Sequence, residues 1–313
     1  MNSVHPSHSC RICGSAEYKC LFPVEDVNIL ECLQCGFRFP DQLPSSEDLQ
    51  AHYDEGYRES RFMHGQRVNA RINRLVLGRL LGDLSNLKIL DVGAGYGFLA
   101  HSLSQIRNST CEAVEISQAQ RVHAKNVLGL RTYENLGEIH SRYDLIVSFE
   151  VLEHILDPLP FLVDLSKLLK PFGSLILATD HFRSPTVMRM GSSFPKWVPH
   201  EHISCFSPAS VYRLFDRLSS IDLVSLQTYA SWELRLASRL FKIRQQLFAN
   251  QSGESKDVAL QHGIHKNSRE KCGRERSYKF YRSRLILSPL LAVATLSPST
   301  SGEMMIIHAK KQA

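Results

Sequence analysis

Read for hydrophobic periodicity, the chain alternates short apolar runs with stretches of helical spacing. Buried strands are expected at Leu87 to Val92, Thr110 to Ile116, Asp144 to Ser148 and Ser174 to Thr179, with a weaker one near Leu130 to Tyr133. Two more are expected at Ile221 to Tyr229 and Glu303 to Ala309. Between them, Val68, Ile72, Leu75 and Arg79 form one helical stripe, and Phe98, Leu99, Leu103 and Ile106 another. Phe161, Leu162, Leu165, Leu168 and Leu169 predict a third buried face, with that helix stopped by Pro171 and Gly173. Ser117 followed by Gln120 reads as a capping-box helix start, and Ser207-Pro208 as a cap with proline in the first turn. Val211, Leu214, Phe215 and Leu218 then continue at helical spacing. Strands alternating with helices predict an α/β fold around a largely parallel sheet.

The junctions carry the candidate chemistry. Lys88-Ile-Leu-Asp-Val-Gly-Ala-Gly-Tyr-Gly97 is a strand that meets an acid and then three alternating glycines. Glycine there allows φ > 0 and lets backbone approach a ligand closely. Such a loop alone also suits a dinucleotide fold. That fingerprint, however, needs a glycine three residues after Gly95, where this chain has Phe98. The next strand ends in Glu115, placed to accept hydrogen bonds from ribose hydroxyls. A later strand runs into Glu150-Val-Leu-Glu-His154.

Together these segments resemble the class I S-adenosylmethionine-dependent methyltransferases over roughly residues 66 to 230 plus the closing strand. Asp91 to Gly97 is similar to their first motif, Glu115 to their ribose-binding acid, and Glu150 to His154 to a variant of their fourth. The resemblance implies a Rossmann-like seven-stranded methyltransferase sheet. S-adenosyl-L-methionine would lie against Asp91, Gly93, Ala94, Gly95, Gly97, Glu115, Ile116, Glu134, Phe149, Glu150 and Val151. Methyl transfer to a hydroxyl needs a proton acceptor. His154, Glu150 and His202 are the candidates, His202 lying in a His200-Glu-His-Ile-Ser-Cys-Phe206 segment with Glu201 as an orienting partner. Glu150, Glu153 and His154 also resemble a magnesium-binding set of some RNA 2′-O-methyltransferases and ubiquinone-pathway enzymes, although Ile155 stands where the RNA enzymes carry another histidine.

Eight cysteines resolve into one pattern. Cys10-x-x-Cys13 and Cys32-x-x-Cys35, each followed by glycine, have the spacing of a zinc ribbon with all four metal positions filled by thiolate. A structural Zn2+ would supply stability that so short a segment cannot draw from a core. A disulfide-bonded or metal-free knuckle is the alternative. Ribbons followed by a tyrosine segment such as Tyr53-Asp-Glu-Gly-Tyr57 resemble the front of bacterial methyltransferases of surface-polysaccharide and small-molecule metabolism. Tyr53 and Tyr57 either cover the substrate mouth or pack between domains.

The expected organisation is a ribbon over 1–45, a helical connector or lid over 46–85, the cofactor-binding domain over 86–230 plus 303–310, and a basic helical insertion over 231–302. With 313 residues, 43% hydrophobic and 22% charged, the composition is that of an ordinary globular chain. Charge is uneven: between Ser231 and Arg284 thirteen Lys and Arg face five Asp and Glu, a balance of +8 against +6 for the whole chain. Leu234, Ala237, Leu240, Phe241, Leu247 and Phe248 form an apolar face flanked by Arg235, Arg239 and Lys242. That face suits an anionic membrane surface or a solvated cover on the sheet. The first residues lack a secretory signal and no apolar run spans a bilayer, so the expected location is cytoplasmic, with or without peripheral contact at the inner membrane face. The expected acceptor is a sugar, glycan precursor or other small metabolite. An RNA methyltransferase, or a non-catalytic cofactor-binding ribbon protein, stands as the alternative.

Overall fold

The computed structural model describes residues 9–44, 60–231, 234–236, 238–240, 242–243, 288–290 and 292–313. Tyr53, Tyr57, Ala237, Phe241, Leu247, Phe248 and most of the basic insertion lie outside them.

A small antiparallel sheet comes first, from β1 (Tyr18–Val24), β2 (Val27–Cys32) and β3 (Arg38–Pro40). The long helix α1 (Ser60–Leu81) leads into β4 (Lys88–Val92), α2 (Phe98–Ser104), β5 (Thr110–Val114) and α3 (Gln118–Asn126). The chain continues through β6 (Thr132–Tyr133), β7 (Tyr143–Phe149), α4 (Pro158–Leu168), β8 (Leu169–Asp180), α5 (Pro185–Met190), α6 (Pro208–Phe215), β9 (Ile221–Tyr229) and β10 (Met304–Lys311). The main sheet has seven strands in the order β6-β5-β4-β7-β8-β10-β9. Neighbours from β6 to β8 are parallel, and β10 runs antiparallel to both β8 and β9. This is the seven-stranded Rossmann-like arrangement expected from the sequence.

Apolar runs form its strands because both faces are covered. Along β10, Met305, Ile307 and Ala309 pack with Leu90, Ile146, Leu175 and the α4 residues Leu162 and Leu165, while Met304 and Ile306 join Ile89, Val147, Ile176 and the α2 residues Leu99 and Leu103 on the other side. Period-2 alternation thus serves two cores at once. The first core also takes in Phe37 and Phe39 of the cysteine-bearing sheet, with Phe37 and Phe206 at 5.2 Å between ring centroids. Arg38 and Cys205 exchange backbone hydrogen bonds of 3.0 and 2.9 Å, stitching that sheet to the segment before α6.

Several local expectations change. Leu75 is exposed, and the buried stripe of α1 runs instead through Val68, Val76 and Leu77. Leu169 belongs to β8, because α4 ends at Leu168, three residues before Pro171, whose ring disfavours the helical conformation at Lys170. Ser117 makes no side-chain cap. Its N–H donates to Glu115 Oε1 at 2.8 Å, while Gln120 turns inward toward Gln66. Ser207 and Ser210 do form the expected cap, a reciprocal capping box. Among the described residues no helix is long and apolar enough to cross a membrane.

Just beyond β8, the buried His181 imidazole bonds Gly302 O at 3.0 Å through Nδ1. Burial pushes it down to about 4, with Arg183 and Arg38 adding to the effect and the Gly302 bond opposing it. The unfolded chain therefore binds this proton near pH 6.5 and the folded chain only near 4, so stability is lost as pH falls through that window. His181→Asn should remove about 2–3 kcal/mol of the difference in unfolding free energy between pH 7 and 4.5. Urea titrations at both values measure it; an unchanged pH dependence would contradict this account.

Candidate functional site

The carboxyl ends of β4, β5 and β7 open into a cavity of about 910 Å³, roofed by α1. At the end of β4 the chain turns through Gly93 (φ 74°), Gly95 (φ 58°) and Gly97 (φ 84°) into α2. A Cβ on Gly95 would fall 2.2 Å from Gln66 Oε1, the movable end of a side chain, and one on Gly93 2.2 Å from Val151 Cγ2; the left-handed φ is what disfavours larger residues at both. Gly97 faces the other way, against Ala124 and Leu130, and serves packing rather than the cavity wall.

Two buried carboxyls sit under this loop. Glu115 accepts from Gly95 N at 2.7 Å and from Ser117 N at 2.8 Å. Its pKa is nevertheless raised by burial, against those two bonds and Arg121. Asp91 is pushed up to about 7, first by burial and then by Glu115. Its Oδ2 has no hydrogen-bond partner among the described residues, although it borders the cavity. A cavity wall with an unmatched acid is suited to a ligand that brings a cation or hydrogen-bond donors. Ala94, Ile116, Glu134, Phe149, Glu150 and Val151 complete the wall. Glu134 is held by Arg121 at 2.8 Å.

The opposite end is formed by turns. Glu150 closes β7 with φ 56°, a left-handed conformation costly for a side chain of this kind. Its half-exposed carboxylate accepts from Asn69 Nδ2 at 3.1 Å and lies 3.9 Å from Lys196 Nζ. Glu153, in a single 3-10 turn (Leu152–His154), is almost fully buried and accepts from Thr179 Oγ1 at 2.8 Å. Burial, then Asp180 and Glu150, push it up to about 8, so it is chiefly a neutral acid at pH 7. Burial opposes the charge on Lys196, but Asp180 at 2.6 Å and Glu150 carry it above the ordinary lysine range.

His154 and His202 meet edge to face, with ring centroids 4.9 Å apart. His154 Nδ1 lies 3.0 Å from Glu201 O and His202 Nδ1 2.8 Å from Lys196 O. A carbonyl can only accept, so each Nδ1 carries a proton. Burial and then Lys196 push His202 down to about 4. Glu153, His154 and His202 bring their ligand atoms within 4.8 Å of one another. That cluster holds His202 in place of Glu150. Glu201 meets His154 through its backbone oxygen, and His202 Nδ1 is held by Lys196 O.

Four sulfurs converge at the other end of the chain. Cys10 and Cys35 Sγ are 3.7 Å apart and Cys13 and Cys32 Sγ 3.5 Å, with all four within 4.8 Å of one another. Zn–S bonds of about 2.3 Å in a tetrahedron separate sulfurs by about 3.8 Å, so the spacing fits that ion. Tight turns present them, with Gly14 N bonded to Cys10 O at 2.8 Å and Gly36 N to Cys32 O at 2.9 Å.

Gln66, Asn69 and Asn73 of α1 also line the cavity, and sequence reasoning had overlooked them. Their i, i+3, i+7 spacing on one face was the available signal. Lys196 and Phe161 were missed as site residues as well. Lys196 sits in a turn, where no periodicity marks it.

Residues 58–218 match the family model described as "Methyltransferase domain". A ubiquinone biosynthesis O-methyltransferase from Cereibacter sphaeroides is 27% identical over 172 residues, covering 49% of this chain and 69% of that protein. One from Vibrio parahaemolyticus is 26% identical over 203 residues, covering 59% and 83%. Among solved structures, a Thermotoga maritima protein described as a SAM-dependent methyltransferase, possible histamine N-methyltransferase, aligns with a TM-score of 0.51 and 13% identity. That alignment covers 86% of this chain and 100% of the other, and it bears on fold alone.

Gly95→Val should cost about 1–3 kcal/mol of stability, because the left-handed turn remains strained even after Gln66 swings away. Chemical denaturation measures it, and wild-type stability would contradict the stated role of the turn.

Proposed function

This chain belongs to the class I S-adenosylmethionine-dependent methyltransferases, and from that premise we propose that it methylates a hydroxyl oxygen of a small metabolite, sugar or glycan precursor. The observation that carries this reading is the His154 imidazole, which lines the cavity and is held through Nδ1 by Glu201 O. When bound, S-adenosylmethionine supplies a sulfonium-activated methyl group open to in-line displacement. Asp91 and Glu115 would hold its cationic and ribose groups, with Gly93, Ala94, Gly95, Ile116, Phe149 and Val151 as walls and Glu134 toward the base. His154 takes the acceptor's proton as the oxygen attacks. His202 keeps the ring in place, Glu150 and Lys196 border the acceptor's entry, and Phe161 offers an apolar face to it. The naming of the two relatives as O-methyltransferases supports oxygen as the receiving atom.

Calorimetry and a radiolabelled methyl-transfer assay over hydroxylated acceptors test the reading together. Glu115→Ala should weaken cofactor binding by about 1.5–3 kcal/mol, the value of a charge-assisted hydrogen bond. His154→Ala should keep cofactor affinity while turnover drops about 100-fold or more. Undiminished affinity in the first variant, or undiminished turnover in the second, sinks the assignment.

The cysteine cluster supports a structural zinc, since four thiolates fill the coordination sphere and leave no position for chemistry. A second reading comes from Glu153, His154 and His202. Two imidazoles whose other nitrogens donate to carbonyls, beside a carboxyl, make a donor set suited to a divalent ion that would acidify the acceptor hydroxyl. Metal analysis of protein purified without chelators should find one zinc per chain, lost in Cys32→Ser. A further equivalent of metal, retained in Cys32→Ser and lost in His202→Ala, would favour the second reading; no zinc at all would remove the first.

A further inference from the structure

The two histidines stand on turns that have no regular secondary structure to fix their distance. His154 ends a single 3-10 turn, and His202 lies in the irregular run between α5 and α6. Hydrogen bonds cross between them. Ser204 N donates to Glu153 O at 2.9 Å and Ser204 Oγ to Ile155 O at 2.7 Å. The His154–Glu201 bond spans the same gap. Leu156 O and Ile203 O, one on each turn, converge on a common point.

A guanidinium fills that position. Arg11 stands between two of the clustered cysteines, Cys10 and Cys13, with its planar head over Phe37 and Phe39 at 5.4 and 5.8 Å. Nη1 donates to Leu156 O, and Nη2 to Ile203 O at 2.7 Å. Leu156 follows His154 by two residues, and Ile203 is the next residue after His202. One rigid fork therefore ties both histidine turns to each other and to the cysteine sheet. Truncating it would leave two part-buried carbonyls without this donor.

We propose that Arg11 is a positioning residue for methyl transfer: it sets the spacing of the His154 and His202 turns, and through it the cysteine sheet holds the acceptor end of the cavity in working geometry. This rests on the reading of His154 as the proton acceptor, but its test does not need the acceptor. Arg11 touches neither the glycine loop nor Glu115, so the cofactor end is expected to be insensitive to it.

The test uses the full chain, histidine-labelled with 15N, in two-bond proton–nitrogen spectra that separate Nδ1–H from Nε2–H rings. Wild type should show both histidines as Nδ1–H. In Arg11→Ala, His154 should average between tautomers, because its Glu201 partner lies on the opposite turn. His202 should stay Nδ1–H, because its Lys196 partner lies on its own turn. Arg11→Lys, which keeps charge and stem but cannot reach both carbonyls at once, should give the same pattern more weakly and covers the case in which Arg11→Ala fails to fold. Arg217→Ala is the control: it removes another tether to the cysteine sheet, Nη1 to Ile12 O at 2.8 Å and to the Arg11 backbone oxygen at 3.4 Å, but leaves the Arg11 guanidinium and reaches neither turn. S-adenosylmethionine affinity should change less than about 2-fold in all three variants. His154 remaining Nδ1–H in both Arg11 variants would overturn the proposal, as would an equal disturbance in Arg217→Ala. Absence of S-adenosylmethionine binding in wild type would instead strike the functional reading itself.

Discussion

Asp91 and Glu115 close adjacent parallel strands, both buried, and the cofactor end of the site is organised around making that tolerable. Two carboxylates so near each other in a dry setting cannot both be charged without donors. Glu115 obtains two backbone N–H groups, from Gly95 and Ser117, and the first is available only because the loop turns left-handed there. Asp91 obtains no such pair and is raised toward neutrality. The loop's shape, the Gln66 side chain lying on Gly95 and the unmatched acid at the cavity floor are thus one electrostatic arrangement. It completes itself when a ligand brings positive charge.

Regular elements and their ends were legible in the sequence. Periodicity placed the strands of the main sheet because the central ones are covered on both faces and the edge strand β9 alternates, and the acid-glycine loop and Glu115 stood where strand ends must stand. The misreadings share a cause. Ser117 and Gln120 have the letters of a cap, but Glu115 two residues earlier competes for the serine's N–H, and burial draws the glutamine inward. Leu75 has the spacing of a core residue, yet the helix turns a neighbouring stripe to the sheet. Lys196, Glu153 and His202 meet through turns, and turn residues take their positions from distant contacts that leave no local period. The cluster consequently exchanged Glu150 for His202, a change that spacing along the chain could not reveal.

The cysteine-bearing sheet is joined to the rest by apolar and polar means of different kinds. Phe37 and Phe39 enter the core beneath α4 and α6. Arginines supply the polar joints: Arg38 reaches Glu31 Oε2 at 2.7 Å and Phe182 O at 2.6 Å, and Arg217 reaches Ile12 O. Turn carbonyls at a seam lack helical or strand partners, and a guanidinium with its forked donors can satisfy two of them from outside. Such a seam is specific in register, because each fork fits one pair of acceptors.

Strand order has a consequence for the birth of the molecule. β10 lies between β8 and β9, so β9 has no neighbour in the sheet until residues 304–311 arrive. During synthesis the parallel strands β4 to β8 can assemble early, while β8 presents an open edge and β9 waits unpaired across some seventy residues of intervening chain. An open edge is a template for mispairing between chains. A ribosome stalled within the basic insertion would therefore hold a half-closed sheet, and a chaperone that shields strand edges would matter most during that interval.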